Sequence, residues 1–139
     1  MKIVLAICLL TGFLVAVMYF FPQINFREMP QGLIDGTLSE DKPNWVSSLV
    51  ASDNSHYIAS LNVDSLEKLA ACIKSNIPDV TITKTDETGL FAYRQSRVFH
   101  FVDWFIIRSN GAVISSATIG HSDFGKNREL IEQIRALCV

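Results

Sequence analysis

The run from Phe99 to Arg108 alternates. One side collects Phe99, Phe101, Asp103, Phe105 and Ile107; the other collects His100, Val102, Trp104, Ile106 and Arg108. Asp103 is therefore a carboxylate among large apolar groups, where an ionised acid is costly unless paired or hydrogen-bonded. Such a group has two uses. It can accept backbone N–H bonds and tie down a loop, or it can serve as a general base once burial raises its pKa. We read Asp103 as facing inward with partners. The alternative, with the other side buried, would leave the phenylalanines in solvent.

A second group lies in "GHSDFGKNRELIEQIR", residues 120–135. At about 100° per residue, measured from Ile131, Ile134 lies at about −60°, Cys138 at about −20° and Asn127 at about −40°. Asn127 thus shares the apolar stripe, with Arg128 on its shoulder and Arg135 on the wet side with Glu132. Ser122 or Asp123 is the expected N-cap. Gly125, a poor helix former, is expected to allow a close approach by another segment or a ligand. Free N–H groups, an inward Asn and a flanking Arg would suit a polar or anionic guest. The plainer use of Asn127 is to satisfy a buried backbone group.

Other chemistry finds little support. Ser47, Ser48, His56, His100 and His121 offer parts for a hydrolytic triad, but no G-x-S-x-G elbow is present. The histidines and cysteines show no close ligand spacing, so no metal and no cofactor are expected. Cys72 and Cys138 could pair in an oxidising compartment. The reading favoured is two separate, half-buried thiols; Cys72 falls about 120° from the apolar stripe of its own helix, on its flank.

The elements that must position these residues can be followed along the chain. "SHYIASL", 55–61, reads as a first strand. Asp64 then caps a helix, with Glu67 three residues on, and Leu66, Leu69, Ala70, Ile73 and Ile77 form its stripe. Pro78 ends it. "VTITKT" and "GLFAYRQS" form a hairpin across "DET". "RVFHFVDWFIIR" and "AVISSATI" form a second around Asn110-Gly111, for which a type I′ turn is expected. The order β-α-β-β-β-β-α predicts an α+β fold: a two-layer sandwich of a largely antiparallel sheet with two helices on one face.

Ahead of this domain, residues 3–21 run without a charge, enough for a helix of roughly 28 Å, near the hydrocarbon thickness of a bilayer. The run is long for a cleaved signal peptide and ends in "VMYFFP" without a small-residue cleavage site. We expect a transmembrane anchor over 1–22, a Pro- and Gly-containing tether over 23–43, and one domain over 44–139. Lys2 and the amino terminus place the N-terminus in the cytoplasm and the domain outside it; secretion after cleavage is the alternative. Without Lys2, eleven basic residues face fourteen acidic ones, and no basic cluster suggests nucleic acid.

"PNWVSSL", "HYIASL", "SRVFHFVDW" and "GHSDFGKNRELIEQIR" together resemble the family of domains of unknown function numbered 1499, in order from about residue 43 to 138. The family's motif residues fall on Asn44, Val46, Ser47, Ser48, Ser96, Asp103, Gly120, Ser122, Asp123, Gly125, Asn127 and Arg128. The resemblance implies a secreted or membrane-anchored domain and no established reaction. Trp45 stands where the family commonly has Cys, and Trp104 where it usually has a second acid. "ISSATIG" lacks the arginines often found there. The expectation is a membrane-anchored envelope domain that binds a small ligand or a partner protein. Its site would comprise Asn44, Ser47, Ser48, Asp103, Asp123, Asn127 and Arg128. The alternatives are a hydrolase with Asp103 as general base, and a purely structural envelope protein.

Overall fold

A computed structural model describes residues 2–25 and 28–139. Helix α1 spans Lys2–Asn25. Its stretch Lys2–Phe20 is long and apolar enough to cross a membrane and none of it is buried inside the protein, although an N-terminal signal sequence has the same composition. The remaining elements are β1 (Trp45–Ser47), α2 (Leu66–Asn76), β2 (Val80–Asp86), β3 (Gly89–Gln95), β4 (Val102–Arg108), β5 (Val113–Ala117) and α3 (Lys126–Cys138). The strands form one antiparallel sheet in the order β1-β5-β4-β3-β2. This is the expected α+β architecture.

Strand alternation divides the core in two. Leu90, Ala92, Phe105, Ile107 and Val113 face α2 and α3, where Leu66, Leu69, Ile73, Leu130, Ile131 and Ile134 meet them. Val102, Trp104, Ile106 and Ile114 point the other way. That second face is not left bare. Within the stretch expected as a tether, Leu33 is fully buried on it, with Met29 and Leu38 packed alongside.

Four local expectations are corrected. Residues 55–61 form no strand: β1 lies earlier, and only Tyr57 bridges to Ser47. The Arg135 guanidinium takes the carbonyls of Ala59 and Ser60 at 2.6 and 2.8 Å, and Arg128 takes that of Ser55 at 3.1 Å. Side chains therefore satisfy groups a sheet would have paired. The cap of α2 is Ser65 rather than Asp64; its Oγ accepts from Lys68 N and donates to Glu67 at 2.7 Å. Residues 99–101 precede β4, because His100 adopts a φ of 56° and turns the chain.

The β4–β5 hairpin, finally, is not type I′. Of its loop residues only Gly111 has positive φ, at 81°. Gly111 N–H donates to Arg108 O and Arg108 N–H to Ala112 O. That is a three-residue loop with glycine in the left-handed position, the alternative way to match strand twist. A Cβ on Gly111 would strike the Leu61 carbonyl, so the residue is fixed sterically as well.

The cysteines are the fifth correction. Cys72 and Cys138 form a disulfide, joining α2 to α3. A residue about 120° from the sheet-facing stripe is well aimed at a neighbouring helix in the same layer.

Candidate functional site

α3 approaches the sheet where β1 begins and β5 ends, and Asn127 arrives there fully buried. Its Oδ1 accepts from Ser115 Oγ at 2.5 Å; its Nδ2 donates to the Asn44 carbonyl at 3.1 Å and to Asp123 Oδ2 at 2.7 Å. The Asn44 carbonyl also accepts from Ala117 N, and Asn44 Nδ2 donates to the Gly120 carbonyl at 2.8 Å. One amide thus ties the start of β1, the middle of β5 and the entry to α3. Among the described residues no buried side-chain N or O lacks a partner.

Asp123 provides the capping oxygens, although the positional N-cap is Gly125. Its Oδ2 accepts from Asn127 N at 2.7 Å and its Oδ1 from Gly125 N at 3.1 Å. Ser122 accepts from Phe124 N instead. No other segment approaches Gly125 closely, since a Cβ there would meet nothing within 4 Å. Gly125 is explained by its φ of 77°, which a glycine adopts without strain.

Asp103 faces inward, as its place in the alternation implies, but does not bond to Asn127 directly. Its side chain is only 15% exposed, and Arg94, opposite it in the β3–β4 register, reaches it at 3.7 Å. Arg94 also donates to the Lys126 carbonyl at 3.0 Å. Burial pushes the Asp103 carboxyl up to about 6; the Arg94 charge opposes this and the Asp123 charge adds to it. Two carboxylates with unequal tasks therefore sit at this corner. Asp123 is fully bonded to backbone and amide, and Asp103 is held by one long ion pair.

The other expected site residues are dispersed. Ser47 is buried and accepts from Leu49 N; Ser48 Oγ accepts from Val113 N at 2.8 Å. Val113 lies four residues from Ala117, about 13 Å along β5, so these serines are at the opposite end of β1 from Asn44. Arg128 points outward to Ser55. There it borders a cleft of about 120 Å³ lined by Pro43, Trp45, Val46, Ser55, His56, Asp123, Gly125 and Arg128. Asp103 is not part of that lining.

Trp45 and His56 were not among the expected site residues, yet they form one wall of this cleft. Their rings stack at 3.8 Å with an interplanar angle of 1°. His56 Nδ1 meets the Trp45 carbonyl at 3.0 Å, and Trp45 Nε1 donates to the Ser39 carbonyl. The available signal was Trp45 itself, a bulky replacement at a motif position. Its pairing with a residue eleven positions on needs the fold.

No match to the chain was found among curated proteins or among solved structures. Residues 37–137 match the family described as "Protein of unknown function (DUF1499)". The match covers the sheet, α2, α3 almost to its end and the whole Asn44–Asp123–Asn127 corner. The chain belongs to the DUF1499 family.

Proposed function

We propose that this is a membrane-anchored, extracytoplasmic binding module, held by α1 and recognising a partner through the cleft beside the entry to α3. The observation that carries the reading is the lining of that cleft. A carboxylate (Asp123) and a guanidinium (Arg128) border one small concavity with the stacked Trp45 and His56. Small-molecule pockets run from about 300 Å³ upward, so 120 Å³ suits a single protruding side chain rather than a free metabolite. A larger cavity of about 560 Å³, lined by Ile34, Asp35, Thr88, Phe91, Ile106 and Arg108, contains none of the expected site residues.

The test is photo-crosslinking in the native membrane. A benzophenone amino acid replaces exposed Ser55 at the cleft, and Thr83 on β2 as the control. Discrete adducts from position 55 that vanish on adding Arg128→Ala, with none from position 83, support the reading. The same adducts from both positions would overturn it.

A structural role is the second reading, favoured by the complete bonding around Asn127. It expects no cleft-specific adduct. The hydrolase reading draws on the raised pKa of Asp103 and requires a solvent route to that carboxylate.

A further inference from the structure

Two loops at the same end of the sheet carry exposed apolar side chains that take no part in the corner beneath them. The first joins β3 to β4. Val98 is 64% exposed at its tip, and Phe99 and Phe101 lean together at 5.8 Å between centroids. The loop is built to hold that shape: Ser96 N donates to Phe101 O, His100 N to Ser96 O, and Phe101 N to Ser96 Oγ. The second loop leads into α3 and carries Phe124, which is 91% exposed. Phe124 also has a φ of 55°, a left-handed backbone that a bulky residue rarely adopts. An aromatic ring turned outward on unfavourable backbone does nothing for the core.

Both loops leave from one end of the sheet. Thr118 N donates to Val102 O, so β5 exits where β4 begins. Arg94, near the end of β3, reaches the Lys126 carbonyl just after Phe124. α1 meets this same end. The Tyr19 ring stands edge-on to His100 at 4.8 Å, and Tyr19 lies at the C-terminal end of the apolar stretch. Tyrosine at the end of a span marks the headgroup level of a bilayer. His100 and its loop are then at that level too.

We propose that Val98, Phe99 and Phe124 insert into the interfacial layer of the bilayer that α1 crosses, so the domain lies on the membrane with its α3-entry corner toward the lipid. This rests on the anchoring reading above. The nearby charges are engaged within the protein: Arg97 with Asp79 at 2.8 Å and Lys126 with Glu129 at 2.6 Å. The occupant is therefore apolar lipid beneath neutral headgroups, and not an acidic surface.

The full chain carrying Cys8→Ser is reconstituted in phosphatidylcholine vesicles, and a nitroxide is attached at Val98→Cys, Phe124→Cys, Thr83→Cys or Val15→Cys in turn. Power saturation gives the ratio of oxygen to nickel-complex accessibility, which is high in lipid and low in water. Positions 98 and 124 are expected to give ratios several-fold above position 83, with position 15 higher still. A lipid-like value at 15 with water-like values at 98 or 124 would overturn the insertion and leave the anchor intact. A water-like value at 15 would overturn the anchor itself. Positions 98 and 124 are both exposed, so these variants perturb packing little, and matching thermal unfolding of each variant confirms the fold.

Discussion

The two ends of α3 are fastened by different chemistry. At its start, Asn127 and Asp123 close a lattice of hydrogen bonds to β1 and β5. At its finish, Cys138 is bonded covalently to α2. The first fastening is directional and depends on every partner being present. The second restrains the unfolded chain and is indifferent to pH. The hydrogen-bonded end is also the one beside the cleft, and burial there pushes the Asp103 carboxyl up to about 6.

Removing the covalent end is expected to have the largest effect. The cysteines are 66 residues apart, and closing a loop of that length stabilises the folded state by about 4 kcal/mol in the chain-entropy account. Paired Cys72→Ser and Cys138→Ser substitutions should lower the denaturant midpoint correspondingly. The unaltered chain should shift equally under reductant. A reductant effect much larger than that of the double variant would point to a contribution other than this bridge.

Removing the hydrogen-bonded end comes next. Asn127→Leu keeps the branched side-chain shape but takes an acceptor from Ser115 and donors from Asp123 and the Asn44 carbonyl. Each of those groups keeps one other bond. The loss should therefore be about 2–3 kcal/mol, below the full cost of leaving several buried groups bare. Denaturant unfolding reads it. A loss under about 0.5 kcal/mol would mean that Asn127 contributes no more than a surface residue.

Asp103 sharpens the contrast by reversing the sign. Its folded pKa of about 6 lies above the ordinary 3.8. The folded state therefore holds the proton more tightly, and stability rises as pH falls through about 6 toward 4. The raised pKa corresponds to up to about 3 kcal/mol across that window. Asp103→Asn should accordingly stabilise the protein at neutral pH, by about 1–2 kcal/mol once the loss of the Arg94 pair is counted, and flatten the pH profile. An unchanged slope between pH 4 and 6 would place the titration elsewhere.

These two fastenings were not equally legible in the sequence. Asn127 on an apolar stripe and Asp103 in an apolar alternation are conflicts within one element, and period alone exposes them. Both do point inward. The disulfide depends on how two helices sit side by side, which no single-helix wheel contains. The same limit hid the role of residues 55–61. Their β-rich composition suggested a strand, but guanidiniums from α3 hold their carbonyls. Nor could spacing reveal that Leu33 covers the second sheet face, because one leucine in a Pro- and Gly-containing stretch has no period.

The smallest effect is expected at Phe124, and it separates folding from function at this end of α3. Fully outward and at a φ of 55°, the ring contributes no packing, and its backbone is strained. Asparagine visits the left-handed region more readily than phenylalanine because its short side chain bonds locally. Phe124→Asn should therefore leave stability unchanged or raise it by about 0.5 kcal/mol, within the range of surface substitutions. The capping bonds of Asp123 use backbone N–H groups at 125 and 127, so they should survive. If thermal unfolding instead shows a clear loss, Phe124 packs within the fold and its exposure is not available to lipid. A neutral or stabilising result would mean that folding does not require the ring, leaving its outward position to be explained by what it touches outside the protein.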